Sequence, residues 1–217
     1  MLNEAIALPA TIASAQQCSG VEIIVVDGGS ADDTVAIATK AGVRVLATGG
    51  GRAAQMNAGA AIAQGEVLLF LHGDTLLPSG YDDLIGAALA EPDTVGGAFD
   101  LAIAGQGLGL ALVAWGVRWR SRWLGLPYGD QALFVRGAVF RQLGGFPVLP
   151  IMEDFVFVQA LKRRGKLAIA PGTVITSNRR WQKLGILRTT AINQVMLLGY
   201  SVGISPQRLA RWYRRWK

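Results

Sequence analysis

The sequence of 217 residues contains one cysteine, Cys18, and one histidine, His72. A single cysteine excludes an internal disulfide framework and a cysteine-rich metal cluster, and it is typical of proteins in a reducing compartment. No stretch reaches the roughly 18 to 20 apolar residues that a membrane-spanning helix needs. No basic and then apolar leader opens the sequence either, so we expect a cytoplasmic location.

Acidic residues are absent after Asp154. Residues 1–154 carry 8 Lys and Arg against 15 Asp and Glu, whereas residues 155–217 carry 13 Lys and Arg and no acid. A basic half of this kind can bind nucleic acid, an anionic membrane surface or a polyphosphate substrate. No pattern of a nucleic-acid module accompanies it, so we expect no nucleic-acid partner.

Tryptophan and arginine occur together in two segments, residues 115–123 and residues 208–217. Aromatic rings and cations both suit the headgroup layer of a bilayer, which would give a peripheral contact with the inner face of the membrane. Surface helices that pack their aromatic side chains on the domain explain the same pattern equally well. Both interpretations remain open.

The apolar content is 51% with 17% charged residues and 28 glycines, which indicates a compact α/β protein with one sizeable core. Residues 67–71 form an apolar run without alternation, as in strands buried on both faces, and residues 21–26 are predicted to form a second buried strand. Predicted helices alternate with the strands, which is the doubly wound arrangement with helices on both faces of a mostly parallel sheet. Right-handed crossovers would place Asp27 and Asp74 at the same sheet edge.

Further elements are predicted from apolar periodicity and from the residues at their ends. The predicted helices cover residues 3–17, 30–40, 53–63, 82–90 and 153–164, and the remaining predicted strands cover residues 43–46, 96–101, 132–135 and 168–171. Asn3 and Ser30 are expected to cap the first two helices. The chain beyond residue 175 is predicted to be largely helical.

Asp74 follows its predicted strand through the turn His72-Gly73. A carboxylate at that point can hold a divalent cation against a phosphate-bearing substrate, because hard cations prefer oxygen ligands. A turn-forming role explains an isolated Asp in this position as well. Acids or glycines also stand in the loops at residues 27–30, 129–131 and 153–154, and their coincidence favours the first interpretation.

These motifs, in this order, resemble glycosyltransferase family 2, whose members have the GT-A fold and transfer sugars from nucleoside-diphosphate sugars with inversion. The resemblance covers nearly the whole chain. It rests on Leu2-Asn3-Glu4, Val26-Asp27-Gly28-Gly29-Ser30-Ala31-Asp32, Gly51-Arg52 with Asn57 and Gly59, Gly144-Gly145-Phe146 before Glu153-Asp154, and Arg179-Arg180-Trp181. It implies a catalytic GT-A domain over residues 1–175 and a helical basic C-terminal segment over residues 176–217.

The resemblance also implies a role for each motif. Asp154 would be the general base, with Glu153 as the less favoured choice, and Asp74 would hold Mg²⁺ or Mn²⁺ with His72 beside it. Asp27 would hydrogen-bond the nucleobase. The residues expected to bind nucleotide or substrate are Asn3, Glu4, Asp27, Gly29, Arg52, Asn57, Gly73, Asp130, Gln131, Arg179, Arg180 and Trp181.

Three departures from the family pattern limit the resemblance. The usual Asp-x-Asp is His72-Gly73-Asp74, and because Mg²⁺ and Mn²⁺ favour oxygen, His72 is expected to face the substrate or a ligand of the metal. Gly28 stands where a second Asp is common. The sequence opens at the Leu-Asn-Glu that normally follows a first strand, so we expect either that the native start lies upstream or that another segment fills the slot between residues 21–26 and 67–71.

The resemblance predicts a transferase acting on an unknown acceptor, with a lipid-linked acceptor as one option. Two other functions stay open. A nucleotidyltransferase would release pyrophosphate, but no glycine-rich Lys/Arg fingerprint supports it. A membrane-surface nucleotide-binding module with a degenerate site is favoured by His72 and by the missing first strand, and it is disfavoured by the intact acids Asp27, Asp74 and Asp154.

Overall fold

Helices and strands alternate through much of the computed structural model, which describes residues 1–216. The helices are α1 (Leu8–Ala15), α2 (Thr34–Lys40), α3 (Arg52–Ile62), α4 (Tyr81–Ala90), α5 (Leu108–Leu124), α6 (Gly137–Gln142), α7 (Glu153–Lys162), α8 (Arg179–Leu184), α9 (Ile186–Ser201) and α10 (Pro206–Trp216). The strands are β1 (Ile24–Asp27), β2 (Arg44–Ala47), β3 (Val67–Phe70), β4 (Thr75–Leu76), β5 (Thr94–Ile103), β6 (Leu133–Arg136) and β7 (Lys166–Thr176). A 3-10 turn, Gly129–Gln131, precedes β6. Lys217, the last residue of the predicted basic tail, lies outside the described residues.

The strands form two sheets. β1 and β2 pair in parallel, and the second sheet has the order β3-β6-β5-β7-β4. Within the second sheet β5 and β7 are parallel, β6 is antiparallel to β3 and β5, and β4 is antiparallel to β7. In residues 1–216 no hydrogen bond joins β1 to β3. The α/β class is confirmed. In the described chain the two sheets are not hydrogen-bonded to each other at the slot between β1 and β3, where the family resemblance places a first strand.

The apolar run of β3 is explained by burial on both faces of the second sheet. Successive strand residues point to opposite faces. Leu69 packs into the cluster that contains Tyr81 of α4 and Phe99 of β5, whereas Leu68 packs into the cluster of Phe140 and other side chains from α6 and α7. Burying side chains of this size stabilises the fold by roughly 1.5–3 kcal/mol each.

The C-terminal helices are anchored to the loop that enters α7. Ile192 and Met196 of α9 and Leu209 of α10 form one buried cluster with Ile151 and Met152. Met152 immediately precedes the predicted acid pair. Helices α9 and α10 therefore pack directly behind one wall of the predicted site.

The two predicted helix caps are wrong. Asn3 has a left-handed φ of 55°, and α1 begins only at Leu8. The Asn3 side chain accepts a hydrogen bond from Ala31 N, and Ser30 Oγ accepts one from Asn3 N at 2.8 Å and donates to Asp27. Both side chains are therefore used to tie two loops together, and α2 begins at Thr34 instead.

The strands β5 and β7 are longer than predicted. The sequence predicted residues 96–101 and 168–171, because glycine and proline usually end strands. The two strands pair over most of their length, with register shifts after Thr94 and after Phe99. A Cβ on Gly97 would lie 2.2 Å from the carbonyl oxygen of Ala168, so this glycine permits the close approach of the strands.

Candidate active site

A cavity of about 1910 Å³ runs past the ends of β1 and β3 and reaches α5 and the C-terminal helices. It contains most of the charged residues that the sequence singled out. The predicted site residues in its lining are Glu4, Arg52, His72, Gly73, Asp74, Asp130, Asp154, Arg179, Arg180 and Trp181. The predicted residues outside its lining are Asn3, Asp27, Gly29, Asn57, Gln131 and Glu153.

Asp154 lies in the first turn of α7, and its carboxylate is held by two backbone amides. Gly129 N donates to Oδ2 at 2.9 Å, and Phe155 N donates to Oδ1 at 2.8 Å. A Cβ on Gly129 would come within 3.1 Å of Oδ2, so the glycine allows the backbone to approach. The helix N-terminus favours the negative charge. Each carboxylate oxygen keeps a lone pair for a further hydrogen bond.

Glu153, the neighbouring acid, is paired away from the cavity. Its side chain is 3% exposed, and its Oε1 lies 2.7 Å from Nε of Arg52, whose side chain is 54% exposed. Burial raises the pKa of Glu153, and the adjacent Arg52 guanidinium opposes that increase. The left-handed φ of 70° at Met152 turns the chain into α7 so that the two acids diverge. Glu153 is thus a buried counter-ion of Arg52.

His72 and Asp130 lie close to each other in the cavity wall. Burial lowers the pKa of His72, and the charge of Arg52 lowers it further, while Asp130 opposes both effects. Burial raises the pKa of Asp130, which Arg120 and His72 oppose. Oδ1 of Asp130 is buried without a hydrogen-bond partner in the described residues. An unpaired buried oxygen costs about 1–3 kcal/mol, so this atom is placed to accept a ligand.

Asp74 is paired with Arg179 of α8. The Nη2 atom of Arg179 lies 3.0 Å from Oδ2 of Asp74 and also contacts the carboxylate of Glu4. Burial raises the pKa of Glu4, and the hydrogen bond from Arg179 opposes that effect. A guanidinium therefore already supplies positive charge at the end of β3.

Few protein ligands are available for a metal ion at this point. Residues 1–216 contain no group of three or more His, Cys, Asp and Glu side chains that could hold one. Asp74 and His72 supply at most two ligands, so phosphate oxygens would have to complete the coordination of Mg²⁺ or Mn²⁺. The partly exposed Asp74 carboxylate and the unpartnered Asp130 oxygen fit an ion that arrives together with a diphosphate.

Several unpaired hydrogen-bond donors also line the cavity. Nε and Nη2 of Arg180, Nε1 of Trp181 and the hydroxyl of Tyr128 are buried and have no partner within residues 1–216. The Arg180 guanidinium lies 4.8 Å from the ring centroid of Tyr213. Guanidinium matches the geometry of phosphate and carboxylate. The unpaired groups of Arg180, Trp181 and Tyr128 are therefore suited to an anionic or hydroxyl-bearing ligand.

Arg120 belongs to the site although the sequence did not single it out. Its guanidinium stacks 3.5 Å from the ring centroid of Tyr128, and Nη2 donates to Oε1 of Gln131 at 3.0 Å. It stands in the Trp-Arg segment at residues 115–123, where it was grouped with interfacial arginines. Its position off the stripe formed by Trp115, Trp119 and Trp123 is the signal that separates it.

Two of the predicted residues outside the lining are saturated with protein hydrogen bonds. Oε1 of Gln131 accepts bonds from Arg120, Ser121 and Tyr128 N, and its Nε2 donates to the carbonyl of Phe99 at 2.9 Å. The Asn57 side chain bonds the N–H and the C=O of Phe146, both at 2.8 Å. Both residues hold backbone in place.

Asp27 is likewise engaged in its own loop. Its carboxylate accepts hydrogen bonds from Gly29 N and Ser30 N at 2.8 Å and from the Ser30 hydroxyl. Burial alone would raise the pKa of Asp27, but the hydrogen bonds from Ser30 and Gly29 bring it below its ordinary value. Asp27 therefore shapes the loop that follows β1.

The sequence profile of glycosyl transferase family 2 matches residues 1–111, which is more than half of the chain. The chain belongs to glycosyltransferase family 2. This confirms the resemblance on which the sequence predictions rest. No protein with a curated description matches the chain.

Solved structures confirm the fold of this family 2 chain. TarS from S. aureus aligns with a TM-score of 0.64 and 17% identity over 90% of this chain and 38% of its own. A TarS fragment solved with UDP-GlcNAc aligns with a TM-score of 0.62 and 15% identity, over 89% of this chain and 65% of the TarS fragment. The mannosyltransferase PcManGT from Pyrobaculum calidifontis was solved with GDP-Man and Mn²⁺. It aligns with a TM-score of 0.63 and 16% identity, over 97% of this chain and 66% of PcManGT. The chain thus spans less than two thirds of each relative.

Proposed function

We propose that the protein transfers a sugar from a nucleoside-diphosphate sugar to an acceptor hydroxyl, with inversion at the anomeric carbon. The observation that carries the proposal is the convergence of the Asp154 carboxylate, Asp74 and Arg180 on one cavity. Family membership supports it, and so do two structural relatives that were solved with UDP-GlcNAc and with GDP-Man.

Asp154 is the general base of the proposed reaction. The acceptor oxygen forms a bond to the anomeric carbon while the bond from that carbon to the diphosphate oxygen breaks, and the acceptor proton passes to the Asp154 carboxylate. The two backbone bonds to Asp154 fix its direction, which is what a positioned base needs. General base catalysis of this kind contributes about 10²- to 10⁴-fold to the rate.

The leaving diphosphate is neutralised from the end of β3 and from α8. Mg²⁺ or Mn²⁺, held by Asp74 with His72 beside it, would reduce the charge that develops on the diphosphate. Arg179 and Arg180 pair with phosphate oxygens, so residues 176–217 complete the catalytic domain of residues 1–175. Asp27 and Asn3 act through the loop that follows β1, which their hydrogen bonds hold in shape.

The acceptor reaches the site from the exposed face of α5. Leu108, Leu112, Trp115, Trp119 and Trp123 form one stripe on this helix, and all five are at least half exposed. Leu112 also lines the cavity, so the site extends to that face.

No helix within residues 1–216 is long and apolar enough to cross a bilayer. Exposed tryptophans beside arginines suit the headgroup layer of anionic lipid, and residues 155–217 add 13 positive charges without an acid. The proposed acceptor is accordingly an amphiphile that a bilayer presents.

A donor screen tests the transfer reaction. The full chain is incubated with UDP-, GDP- and dTDP-sugars, with Mn²⁺ or with EDTA, and with a panel of lipid and soluble acceptors. We expect metal-dependent release of a nucleoside diphosphate from one donor, and NMR of the product gives its anomeric configuration. Pyrophosphate release would instead identify a nucleotidyltransferase, and nucleotide binding without turnover would identify a binding module.

Sedimentation with anionic vesicles tests the surface separately. Replacing Trp115, Trp119 and Trp123 with serine should lower the bound fraction at least about tenfold, because each buried ring contributes more than 1 kcal/mol. The matched control replaces Ile6 and Val148 with serine, since both are exposed apolar residues elsewhere on the surface. Equal binding of the two variants would remove α5 as the membrane contact.

A further inference from the structure

Helices α5 and α9 meet at one point and separate from it. A Cβ on Gly109 would lie 2.8 Å from Cδ1 of Ile186, so this glycine lets the first turns of the two helices touch. Seven residues later, a Cβ on Gly116 would have no atom of residues 1–216 within 4 Å. Both helices line the cavity. They therefore border a cleft, the α5–α9 cleft, that is closed at Gly109 and open at Gly116.

A row of side chains joins the two helices at the other end of the cleft. The Arg120 guanidinium of α5 lies 3.5 Å from the ring centroid of Tyr128. The Tyr128 ring lies 6.1 Å from the ring of Phe155, and the Phe155 ring lies 5.6 Å from that of Tyr200 in α9. Asp154 directly precedes Phe155 and lines the cavity. The proposed general base is therefore at the wide end of the cleft.

The walls of the cleft carry no charge between its two ends. From α5, the lining residues between Gly109 and Arg120 are Leu112, Val113, Gly116 and Val117. Every α9 residue in the lining is uncharged as well. The eleven steps along α5 from Gly109 to Arg120 span about 16 Å at 1.5 Å per residue. A long, narrow and largely apolar space of this kind suits a hydrocarbon chain, because burying charged or unpaired polar groups there is costly.

The polar groups of the cleft lie on α9. Oγ1 of Thr190 is buried without a hydrogen-bond partner in the described chain, and Asn193 and Gln194 line the cavity beside it. Hydroxyl and amide groups bond ester or hydroxyl oxygens without needing a charged partner. The occupant that fits is a neutral chain with a few polar atoms, as in an acyl ester.

The cleft opens to the surface beside the exposed stripe of α5. Leu112 belongs to that stripe and is 66% exposed, yet it also lines the cavity. Leu112, Gly116 and Arg120 follow one another at intervals of four, so they lie in one row along the helix. Gly116 has no side chain and is exposed, so nothing on it obstructs the way from the stripe to Arg120.

We infer that the α5–α9 cleft binds one hydrocarbon chain of a neutral amphiphile, which enters across Gly116 from the surface that carries the exposed stripe. Its headgroup hydroxyl then lies at the wide end, next to Asp154. Gly116 determines specificity, because a side chain there would narrow the entrance. That the amphiphile is the sugar acceptor rests on the proposed function, whereas binding of the chain in the cleft does not.

Paramagnetic broadening in NMR spectra tests the cleft without a sugar donor. The probe is a monoacylglycerol with a nitroxide near the end of its acyl chain, added to the full chain below the concentration at which it forms micelles. We expect selective broadening of the amide resonances of Val113, Gly116 and Thr190. Absence of broadening would overturn the inference, and so would broadening confined to α10 or to Trp115, Trp119 and their neighbours on the stripe.

Gly116→Leu tests the entrance. Its affinity for the probe should fall at least about tenfold, because the leucine takes the place of about two methylenes of the chain. The variant should also unfold about 2–4 °C above the parent, since leucine favours a helix over glycine, so weaker binding would not reflect misfolding. The matched control, Ala111→Leu, adds the same side chain at an exposed position of α5 outside the lining and should bind the probe as the parent does.

Equal affinity of Gly116→Leu and the parent for the probe would overturn the inference. Sedimentation with anionic vesicles should be the same for both, because the tryptophans of the stripe are unchanged. Probe binding in the cleft without sugar transfer in the donor screen would support the inference and contradict the proposed function. Sugar transfer without probe binding in the cleft would do the reverse.

Discussion

Three residues that line the cavity differ from two predicted residues just outside it in how completely their polar groups are bonded. Asp130, Arg180 and Trp181 line the cavity and have buried atoms without partners in the described chain. Gln131 and Asn57 stand outside the lining, and both ends of each side-chain amide are hydrogen-bonded to protein.

This difference separates residues that meet a ligand from residues that hold the site in shape. Buried polar groups in folded proteins are nearly always bonded, so the open groups of Asp130, Arg180 and Trp181 in the cavity wall are free to bond a ligand. The motifs alone did not distinguish Asp130 from Gln131, although the two are adjacent. Substitutions outside the lining should therefore reduce stability, and substitutions in the lining should reduce binding or turnover.

The largest effect on stability is expected at Gln131. Replacing it with leucine leaves Nη2 of Arg120, Tyr128 N and the Phe99 carbonyl short of the partner that Gln131 supplies, so the free energy of unfolding should fall by about 3–4 kcal/mol. Urea denaturation measures this. The control is Gln142→Leu on the exposed face of α6, which should stay within about 0.5 kcal/mol of the parent. If Gln131→Leu lowered the free energy of unfolding no more than Gln142→Leu does, Gln131 would not be a residue that holds the site in shape.

A smaller loss of stability is expected at Asn57. Alanine at this position removes both hydrogen bonds to Phe146 and should cost about 2 kcal/mol. Aspartate keeps the acceptor for Phe146 N but places a second oxygen against the Phe146 carbonyl, so it should be no more stable than alanine. Urea midpoints that do not follow this order would contradict the assigned bonds.

Arg180 lines the cavity, so its substitution should affect ligand binding more than stability. Replacing it with glutamine should weaken nucleoside-diphosphate or acidic-acceptor binding about tenfold, equivalent to about 1.4 kcal/mol. Stability should fall by no more than about 1 kcal/mol, the contribution of the guanidinium over the Tyr213 ring, because Nε and Nη2 have no hydrogen-bond partner in the described residues. Calorimetric titration and urea denaturation give the two values. A loss of stability like that at Gln131 would place Arg180 among the residues that hold the fold.

The smallest expected effect is a pH dependence from Glu153. Because burial raises its pKa from the ordinary 4.5, the folded state holds the proton more tightly than the unfolded chain does. The contribution of Glu153 is thus present below the unfolded pKa and is lost as pH rises through the folded pKa. Relative to Glu153→Gln, the parent should lose stability with rising pH, by at most about 1.4 kcal/mol per unit. Parallel stability curves of the two proteins as pH rises above 4.5 would contradict this.

Much of the fold followed from local pattern. The apolar run at residues 67–71 predicted β3 because burial on both faces leaves no position for a polar residue. The caps at Asn3 and Ser30 were wrong because short polar side chains serve loops as readily as helix ends, and only the fold shows which backbone is near. The complete hydrogen bonding of the Gln131 side chain could not be predicted, because one of its partners, Phe99, is distant in the sequence.

The two Trp-Arg segments, residues 115–123 and 208–217, also could not be told apart from their sequences. In α10, Trp212, Tyr213 and Trp216 pack into the cluster around Met196, as the packing interpretation of the tail requires. In α5 the tryptophans are exposed. Composition is alike in both segments, so only the surface that each helix covers separates them.

Turnover and nucleotide affinity of Asp154→Asn, measured together, test the central claim most directly. We expect kcat to fall about 10³-fold while the affinity for the nucleoside diphosphate stays at the value of the parent. Stability should fall by about 1 kcal/mol, because asparagine keeps only one of the two oxygens that accept from Gly129 N and Phe155 N. Turnover within about tenfold of the parent would contradict the assignment of Asp154 as the base.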